Sequence, residues 1–319
     1  MHGLSAIYRK ELADHFSSNR FVILFALIAM VGVITSYMAG MNLQRDLEGA
    51  VKPGYIFLQL FNTTGALFSL VQFVAFFGPL IGLVLGFDSI NRERAHGTLI
   101  KVVSQPIFRD AVINGKFLAG VTTIAIMLVS IVLLIAGFGL IILGIVPGID
   151  EILRLAVYVV ISIFYISFWL AVSILFSILF RSIATSALAS AALWIFLSFF
   201  VSMGASVVAN MIVPGDQQDT NAGMIKKIRA EENISLVSPM VLYQKASATV
   251  VNPMQQTTSS LDLIIMGPME RISSSRFQRP LPLGQSILVV FPYVIVLIAL
   301  GVVCFAISYT VFMVQEVRT

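Results

Sequence analysis

Charge is what this sequence has least of. Of 319 residues only 11% are Asp, Glu, Lys or Arg and 58% are hydrophobic, whereas a soluble domain is about 25% charged. With a mean hydropathy of +0.95, that scarcity excludes a soluble globular domain and points to an integral membrane protein. The formal net charge of +4 gives no support to nucleic-acid binding. Cysteine occurs once, at Cys304 inside an apolar run, which excludes a disulfide framework and a cysteine-based metal site. The histidines, His2, His15 and His96, are scattered and form no constellation.

What is present is a set of apolar runs. A crossing helix needs about 20 mostly apolar residues. Six stretches qualify: about Phe21–Met41, Ala66–Phe87, Phe117–Val146, Ile152–Phe180, Ile183–Val213 and Ser286–Val314. The expected fold is therefore all-α and polytopic, with six transmembrane helices. Spans three to five are long for a bilayer, which predicts tilt or turns outside the lipid. The links "PGID" and Arg181-Ser182 are so short that spans three, four and five must be antiparallel neighbours. The basic N-terminus followed by an apolar run has the outline of a signal peptide. No small-x-small cleavage site follows, so the first helix reads as retained.

Orientation follows from Lys and Arg in the short loops. Arg9, Lys10, Arg20, Arg92, Arg94, Lys101, Arg109, Lys116, Arg181 and Arg318 fall on one side. The opposite short loops hold Arg45, Lys52 and Arg154, offset by Asp46, Glu48, Asp150 and Glu151. This predicts a multi-pass cell-membrane protein with both termini cytoplasmic.

Ionisable residues are missing from the membrane-depth text as well. They stop at the span edges, at Asp88, Arg154 and Arg181. Proton relays and ion-coupled sites need such groups at depth, and an intramembrane enzyme would need a charged, His or Cys site. The polar residues within the spans are neutral: Gln72, Ser162, Tyr165, Ser167, Ser173, Ser177, Ser186, Ser190, Ser198 and Ser202. Small serines of this kind mostly serve helix packing; a few lining a substrate path is the alternative. Pro79 and Pro292 free backbone carbonyls, as gating points or as plain bends. A phosphate-cradling loop is absent too: "INGKF" lacks the first glycine, and Phe117 stands where Ser or Thr belongs. No catalytic, cofactor or metal site is expected in the chain, so any energy must come from another subunit.

Three polar regions remain. The arm "LSAIYRKELADHF" repeats Leu4, Ile7, Tyr8, Leu12 and Phe16 at helical spacing, with Arg9, Lys10, Glu11 and Asp14 on the other face. That pattern predicts an amphipathic helix along the cytoplasmic leaflet. The external segment, residues 214–285, reads as a small helical cap. "AGMIKKIRAEENI" is one helix, "SPMVLYQKASATVV" a second with Ser238 at the N-cap and Pro239 at the first position, and "SSLDLIIMGPMERI" a third. "RPLPLG" then forms a stiff lead-in to span six.

The third region is "FDSINRERAHGTLIKVVSQPIFRDAVINGKFLAG", Phe87 to Gly120. Asp88–Val103 reads as a helix leaving span two, charged first and then apolar at Leu99, Ile100, Val102 and Val103. Pro106 disfavours helix at Gln105 and starts a new one. The product is a cytoplasmic hairpin over residues 88–116 with an apolar tip ringed by charge, suited to a partner's groove. A positive-inside loop with some lipid-facing residues is the plainer alternative.

These residues resemble the cytoplasmic loop of type-2 ATP-binding-cassette (ABC) exporter permeases. That family has an acid after span two, a Glu four residues before Gly-Thr-Leu, a Ser-x-Pro turn, an Arg, and Gly-Lys at span three. Here these are Asp88, Glu93, Gly97-Thr98-Leu99, Ser104-Gln105-Pro106, Arg109 and Gly115-Lys116. The "LVSPMVLYQKAS" segment and the "VQEVR" end are similar to the same family, notably the subgroup containing the permease of nitrous-oxide-reductase maturation.

The resemblance implies a dimer, homomeric or heteromeric, of permease subunits bound to ABC ATPase subunits that carry the ATP and Mg. It implies contact with the ATPase through Glu93, Gly97, Thr98, Leu99, Ile100, Val102, Ser104, Pro106 and Arg109. It further implies a connecting helix at Leu4, Tyr8, Leu12 and Phe16. The chain then divides into residues 1–20 (connecting helix), 21–213 (five spans and the hairpin), 214–285 (external segment) and 286–319 (span six and tail). Two functions stay open at this level. One is an exporter permease. The other is a component that passes ATPase motion to an external accessory protein, for which the long external segment leaves room.

Overall fold

The computed structural model describes residues 2–47, 55–62, 69–95, 97, 108–144, 146–213, 221–253 and 280–314. Among these no strand occurs, and six helices are long and apolar enough to cross a membrane: Asn19–Leu43, Leu70–Ala95, Arg109–Ile141, Ile149–Leu179, Ile183–Phe200 and Leu283–Val314. In chain order the elements are α1 (His2–Ser17), α2 (Asn19–Leu47), α3 (Ile56–Asn62), α4 (Leu70–Gly86), α5 (Asn91–Ala95), α6 (Arg109–Leu143), α7 (Ile149–Leu179), α8 (Ile183–Ile195), a π-helical turn (Phe196–Phe200), α9 (Val201–Ile212), α10 (Asn221–Ser235), α11 (Pro239–Val251) and α12 (Leu283–Val314).

Local chemistry sets the helix ends. Ser69 opens α4 with a capping box: its hydroxyl accepts the Gln72 N–H at 3.2 Å, and Gln72 Oε1 accepts the Ser69 N–H at 3.1 Å. Gln72, which reads from sequence as an intramembrane polar residue, is thus occupied by its own helix start. Gly144 closes α6 with φ +63, the left-handed conformation glycine adopts without steric cost. Glu151 caps the start of α7 by accepting the Gly148 N–H at 2.9 Å, and its other oxygen accepts the Phe57 N–H from α3 at 3.1 Å.

The interior is organised by α7, against which α4, α6, α11 and α12 all pack. The α4 contact is tight. Gly78, Gly82 and Gly86, four residues apart, form one stripe. A Cβ at Gly82 would lie 2.6 Å from the Ile166 carbonyl oxygen and 2.8 Å from the Leu170 nitrogen. Such small-residue stripes let backbones approach where lipid supplies no hydrophobic drive between helices. Hydrogen bonds then pin the pair. Pro79 cannot donate to Ala75, and the Tyr165 hydroxyl donates to that freed carbonyl at 2.7 Å. Ser173 donates to the Leu83 carbonyl at 2.8 Å. The Ser177 hydroxyl accepts the N–H groups of Ile90 and Asn91 at 3.0 and 3.2 Å, which fixes where α5 starts.

Two local expectations change. The helix leaving α4 is not continuous: residues 87–90 form turns, and α5 ends at Ala95 ahead of Gly97, whose φ is +67. That left-handed glycine stops the helix. The fifth span is not uniformly α-helical but passes through the π turn at Phe196–Phe200, a feature that hydropathy does not encode. The helix expected to lead into span three does so without a break, since α6 runs from Arg109 to Leu143.

Two of the helices expected in the 214–285 segment are present as α10 and α11, with Ser238 at the N-cap position and Pro239 opening α11. The Ser238 side chain makes no capping bond, so the proline sets that start. The "SSLDLIIMGPMERI" helix lies outside the described residues. α11 does not ride above the bundle. Its Tyr243 is fully buried and stacks on Tyr165 of α7, with centroids 4.4 Å apart and rings 13° from parallel, and its hydroxyl shares a 2.8 Å hydrogen bond with Ser162. Tyr165 lies about 21 Å along α7 from Leu179, at about 1.5 Å per residue. That is within a hydrocarbon layer of about 30 Å.

Arg154 anchors this hairpin. Read from sequence as a loop-edge charge, it is 0% exposed. It donates to Asp150 at 2.8 Å, the Val250 carbonyl at 3.3 Å, the Leu281 carbonyl at 2.5 Å and the Ser286 hydroxyl at 3.2 Å. Its guanidinium also lies 5.4 Å from the Tyr55 ring centroid. One side chain therefore ties together α7, the end of α11 and the start of α12. Arg154→Met is expected to cost about 2–3 kcal/mol, because buried carbonyls lose a charged donor. Hydrogen exchange in residues 239–251 checks it: protection should fall there while α4 stays protected.

Candidate functional site

A group of charged residues, among them Lys10, Glu11, Arg20, Asp88, Arg92, Glu93 and Lys116, converges at the end of the bundle where α1 lies. α1 packs along α6. A Cβ at Gly115 would sit 2.8 Å from Ile7 Cγ2, so the glycine is what lets the two helices touch. The Tyr8 hydroxyl donates to Thr122 at 3.1 Å. Leu4 and Leu12 are half-buried, and Phe16 meets Phe21 edge-on with centroids 4.9 Å apart. The arm is helical as its spacing predicts. Its packed stripe, however, includes Glu11, which the amphipathic reading put on the solvated face.

Glu11 is turned inward because Lys116 is there to meet it. The Lys116 ammonium, on a side chain only 4% exposed, donates to Glu11 at 2.8 Å and to Glu93 at 3.0 Å. Lys10 closes the group from the rim, 3.3 Å from each carboxylate. Two carboxylates and two ammoniums thus balance in a partly dry site. Burial pushes the Glu11 carboxyl up, but Lys116 and then Lys10 outweigh it, and its pKa falls below the ordinary 4.5. Burial also holds the neighbouring His15 imidazole below its usual pKa, with Glu11 opposing and Lys116 assisting.

A second pair stands beside the first. Arg20, at the start of α2, donates to Asp88 at 2.6 Å and lies 5.2 Å from the Phe87 ring centroid. Between the two pairs opens a cleft of about 690 Å³, with Arg20, Asp88, Arg92 and Lys116 on its walls. Acid and base alternate around it, so it offers no net field to an anion, and among the described residues no three His, Cys, Asp or Glu side chains group to hold a metal. The cluster joins three elements: Glu93 is on α5, Lys116 in the second turn of α6, and Glu11 on α1.

The residues expected to touch a partner are placed unevenly. Glu93 turns its carboxylate into the protein and is 8% exposed. Gly97 is exposed, with open space where a Cβ would stand. Thr98, Leu99, Ile100, Val102, Ser104 and Pro106 lie outside the described residues. Arg109 occupies the first position of α6, beside Phe108, which is 82% exposed. Reading the sequence missed Glu11, Lys10 and Arg20 as members of the site. A signal for Glu11 existed: it follows Ile7 by four residues, on the stripe that packs.

The sequence matches the family described as "ABC-2 family transporter protein" over residues 5–317. It is 30% identical over 156 residues to "Probable ABC transporter permease protein NosY" of Pseudomonas aeruginosa, covering 48% of this chain and 50% of that protein. It is also 30% identical over 112 residues to the protein of the same name from Stutzerimonas stutzeri, covering 35% and 36% of the two chains. The chain thus spans about half the length of the first of these relatives and about a third of the second.

Proposed function

The chain belongs to the ABC-2 family of transporter proteins, and from that premise we propose that it is the permease subunit of an ABC exporter. In this reading it pairs with a second permease copy and is driven by a separate ATPase subunit that carries the ATP and Mg. The α1 end is cytoplasmic, with both termini, and the 88–116 hairpin seats in the ATPase. α1 is the connecting helix. The observation that carries the reading is Lys116 held between Glu11 and Glu93, because it joins both limbs of the hairpin to α1. Glu93 then acts by holding the hairpin base, while Gly97, Thr98, Leu99, Ile100, Val102, Ser104, Pro106 and Arg109 form the contact.

Motion received at the hairpin passes up α4, which is bonded to α7 at Leu83 and Ala75. Replacing Gly97-Thr98-Leu99 with charged residues is expected to abolish co-purification of the ATPase while the permease still inserts in the membrane. Undiminished co-purification would overturn the docking assignment.

A second reading is favoured by one observation. The Tyr165 hydroxyl holds α4 while its ring stacks on Tyr243 of α11, so α4 has a direct contact path to the segment assigned to the outer face. In that reading the hairpin α10–α11 delivers the motion to an external accessory protein and no cargo crosses. Stimulation of the reconstituted complex's ATPase by a candidate cargo, without any external protein, supports transport; stimulation only by an external protein supports the second reading.

A further inference from the structure

The cleft beside α1 sits where four spans end. Arg20 and Phe21 open α2, Leu85 and Asp88 stand at the end of α4, Lys116 precedes the apolar run of α6, and Ile183 opens α8. Charge stops and hydrocarbon begins at these residues. The cleft therefore lies at headgroup depth, at the edge of an apolar layer about 30 Å thick. Its volume of about 690 Å³ falls within the roughly 300–1,000 Å³ of small-molecule pockets.

The charges on its walls fall into two groups. Glu11, Glu93 and Lys116 are buried and bonded to one another. Lys10, Asp14, Arg20 and Arg92 are exposed, and these are the groups a ligand can reach. Arg20 gives one N–H to Asp88, which leaves most of the five donors of its guanidinium. Asp14 meets Lys10 at 3.8 Å, between side chains 57% and 55% exposed, so solvent screens that pair. Phe21, Val84, Leu85 and Ile183 supply an apolar side. Over the whole wall, acids and bases number four each, so the ligand that matches it has no net charge. Within that limit it needs an anionic group, a donor for Asp14 and a hydrocarbon tail.

We propose that this cleft binds a phospholipid whose zwitterionic headgroup carries a primary ammonium, as in phosphatidylethanolamine. Arg20 and Arg92 take the phosphate, Asp14 accepts from the ammonium, and the acyl chains leave past Phe21 and Ile183. A quaternary ammonium has no N–H to donate to Asp14, so phosphatidylcholine is the poorer ligand. Phosphatidylglycerol has no ammonium at all and brings a net negative charge to a wall that already holds four acids.

The test is native mass spectrometry of the full chain, with phosphatidylethanolamine, phosphatidylcholine and phosphatidylglycerol of identical acyl chains competing at equal concentration. Phosphatidylethanolamine is expected to bind about fivefold better than either of the others, the upper end for a charge pair near the surface. Asp14→Asn should bring it down to the level of phosphatidylcholine. Arg92→Gln should weaken both zwitterionic lipids alike, because they share the phosphate. Arg9→Gln removes the same charge from an exposed position of α1 outside the cleft and should leave the preference unchanged. Equal binding of the three lipids would mean ordinary boundary lipid and overturn the proposal. Tightest binding of phosphatidylglycerol would mean attraction to surface charge alone and overturn it too. So would an ethanolamine preference that survives Asp14→Asn, an isosteric change at an exposed position that keeps the test valid if Arg92→Gln disturbs the fold.

Discussion

Replacing Lys116 with methionine is expected to lower stability by about 3–5 kcal/mol, the cost of breaking a buried ion pair and stranding its partners. The partners here are two carboxylates, Glu11 and Glu93, each on a side chain 11% exposed. Without Lys116 only Lys10 stands near them, and its side chain is 55% exposed, so solvent screens much of its attraction. Each carboxylate would then be buried next to a like charge. Combining Lys116→Met with Glu93→Gln removes one of the two charges and should recover part of the loss, a non-additivity expected of residues in one network. Thermal unfolding of the detergent-solubilised chain checks it, together with spin labels at Arg9 on α1 and Leu118 on α6, both exposed. The label distance should broaden in the single variant and narrow in the double. Equal stability of wild type and Lys116→Met would show that the cluster does not hold the hairpin base.

The same cluster has a pH signature. The Glu11 pKa is depressed in the folded protein. Its contribution is therefore fully present above the ordinary value of 4.5 and is lost as pH falls below that through the lower folded pKa. Acidification should release α1 in this window, and in Lys116→Met the step should shrink because the main depressing charge is gone.

The second large effect is expected at Gly82. A leucine there should cost about 3 kcal/mol, the upper end for overpacking, because the obstacles are backbone atoms. The Ile166 carbonyl oxygen and the Leu170 nitrogen would lie 2.6 and 2.8 Å from the new Cβ, and neither can rotate away as a side-chain tip would. α4 must move off α7, and the bonds from Tyr165 to Ala75 and from Ser173 to Leu83 should go with it. Gly137→Ala is the control, since nothing lies within 4 Å of its Cβ and alanine favours helix. Under the proposed function, Gly82→Leu should still bind the ATPase but lose cargo stimulation of hydrolysis, because the hairpin tip is untouched while the link above it is broken.

The two sites were legible to different degrees. The Gly78, Gly82 and Gly86 stripe stands in the sequence at a four-residue period, and Ser69 with Gln72 has the spacing of a capping box; both are local patterns. The serines of α7 could be read only as packing residues in general. The α4 carbonyls that accept from Ser173 and from Tyr165 are each 90 residues away, and no local period points to them. Arg154 misled for the same reason. Two acids within its first turns suggested a solvated edge charge, whereas its remaining acceptors come from the ends of α11 and the start of α12, 96 to 132 residues on.

The sequence by itself determined the class of protein and the positions of its spanning helices. Length and hydropathy of a run are properties of the run alone, and a bilayer tests them one segment at a time. It also determined α1, α10 and α11, whose spacing and proline are written within each segment. Only the tertiary structure decided which face of α1 is packed, that Glu93 points inward, that α11 enters the bundle, and that Arg154 is buried. Each of these depends on a partner brought from elsewhere in the chain: Lys116 lies 105 residues from Glu11 and 23 from Glu93. A buried charge is stable only where its counter-charge arrives, and that arrival is a fact of packing that no single segment encodes.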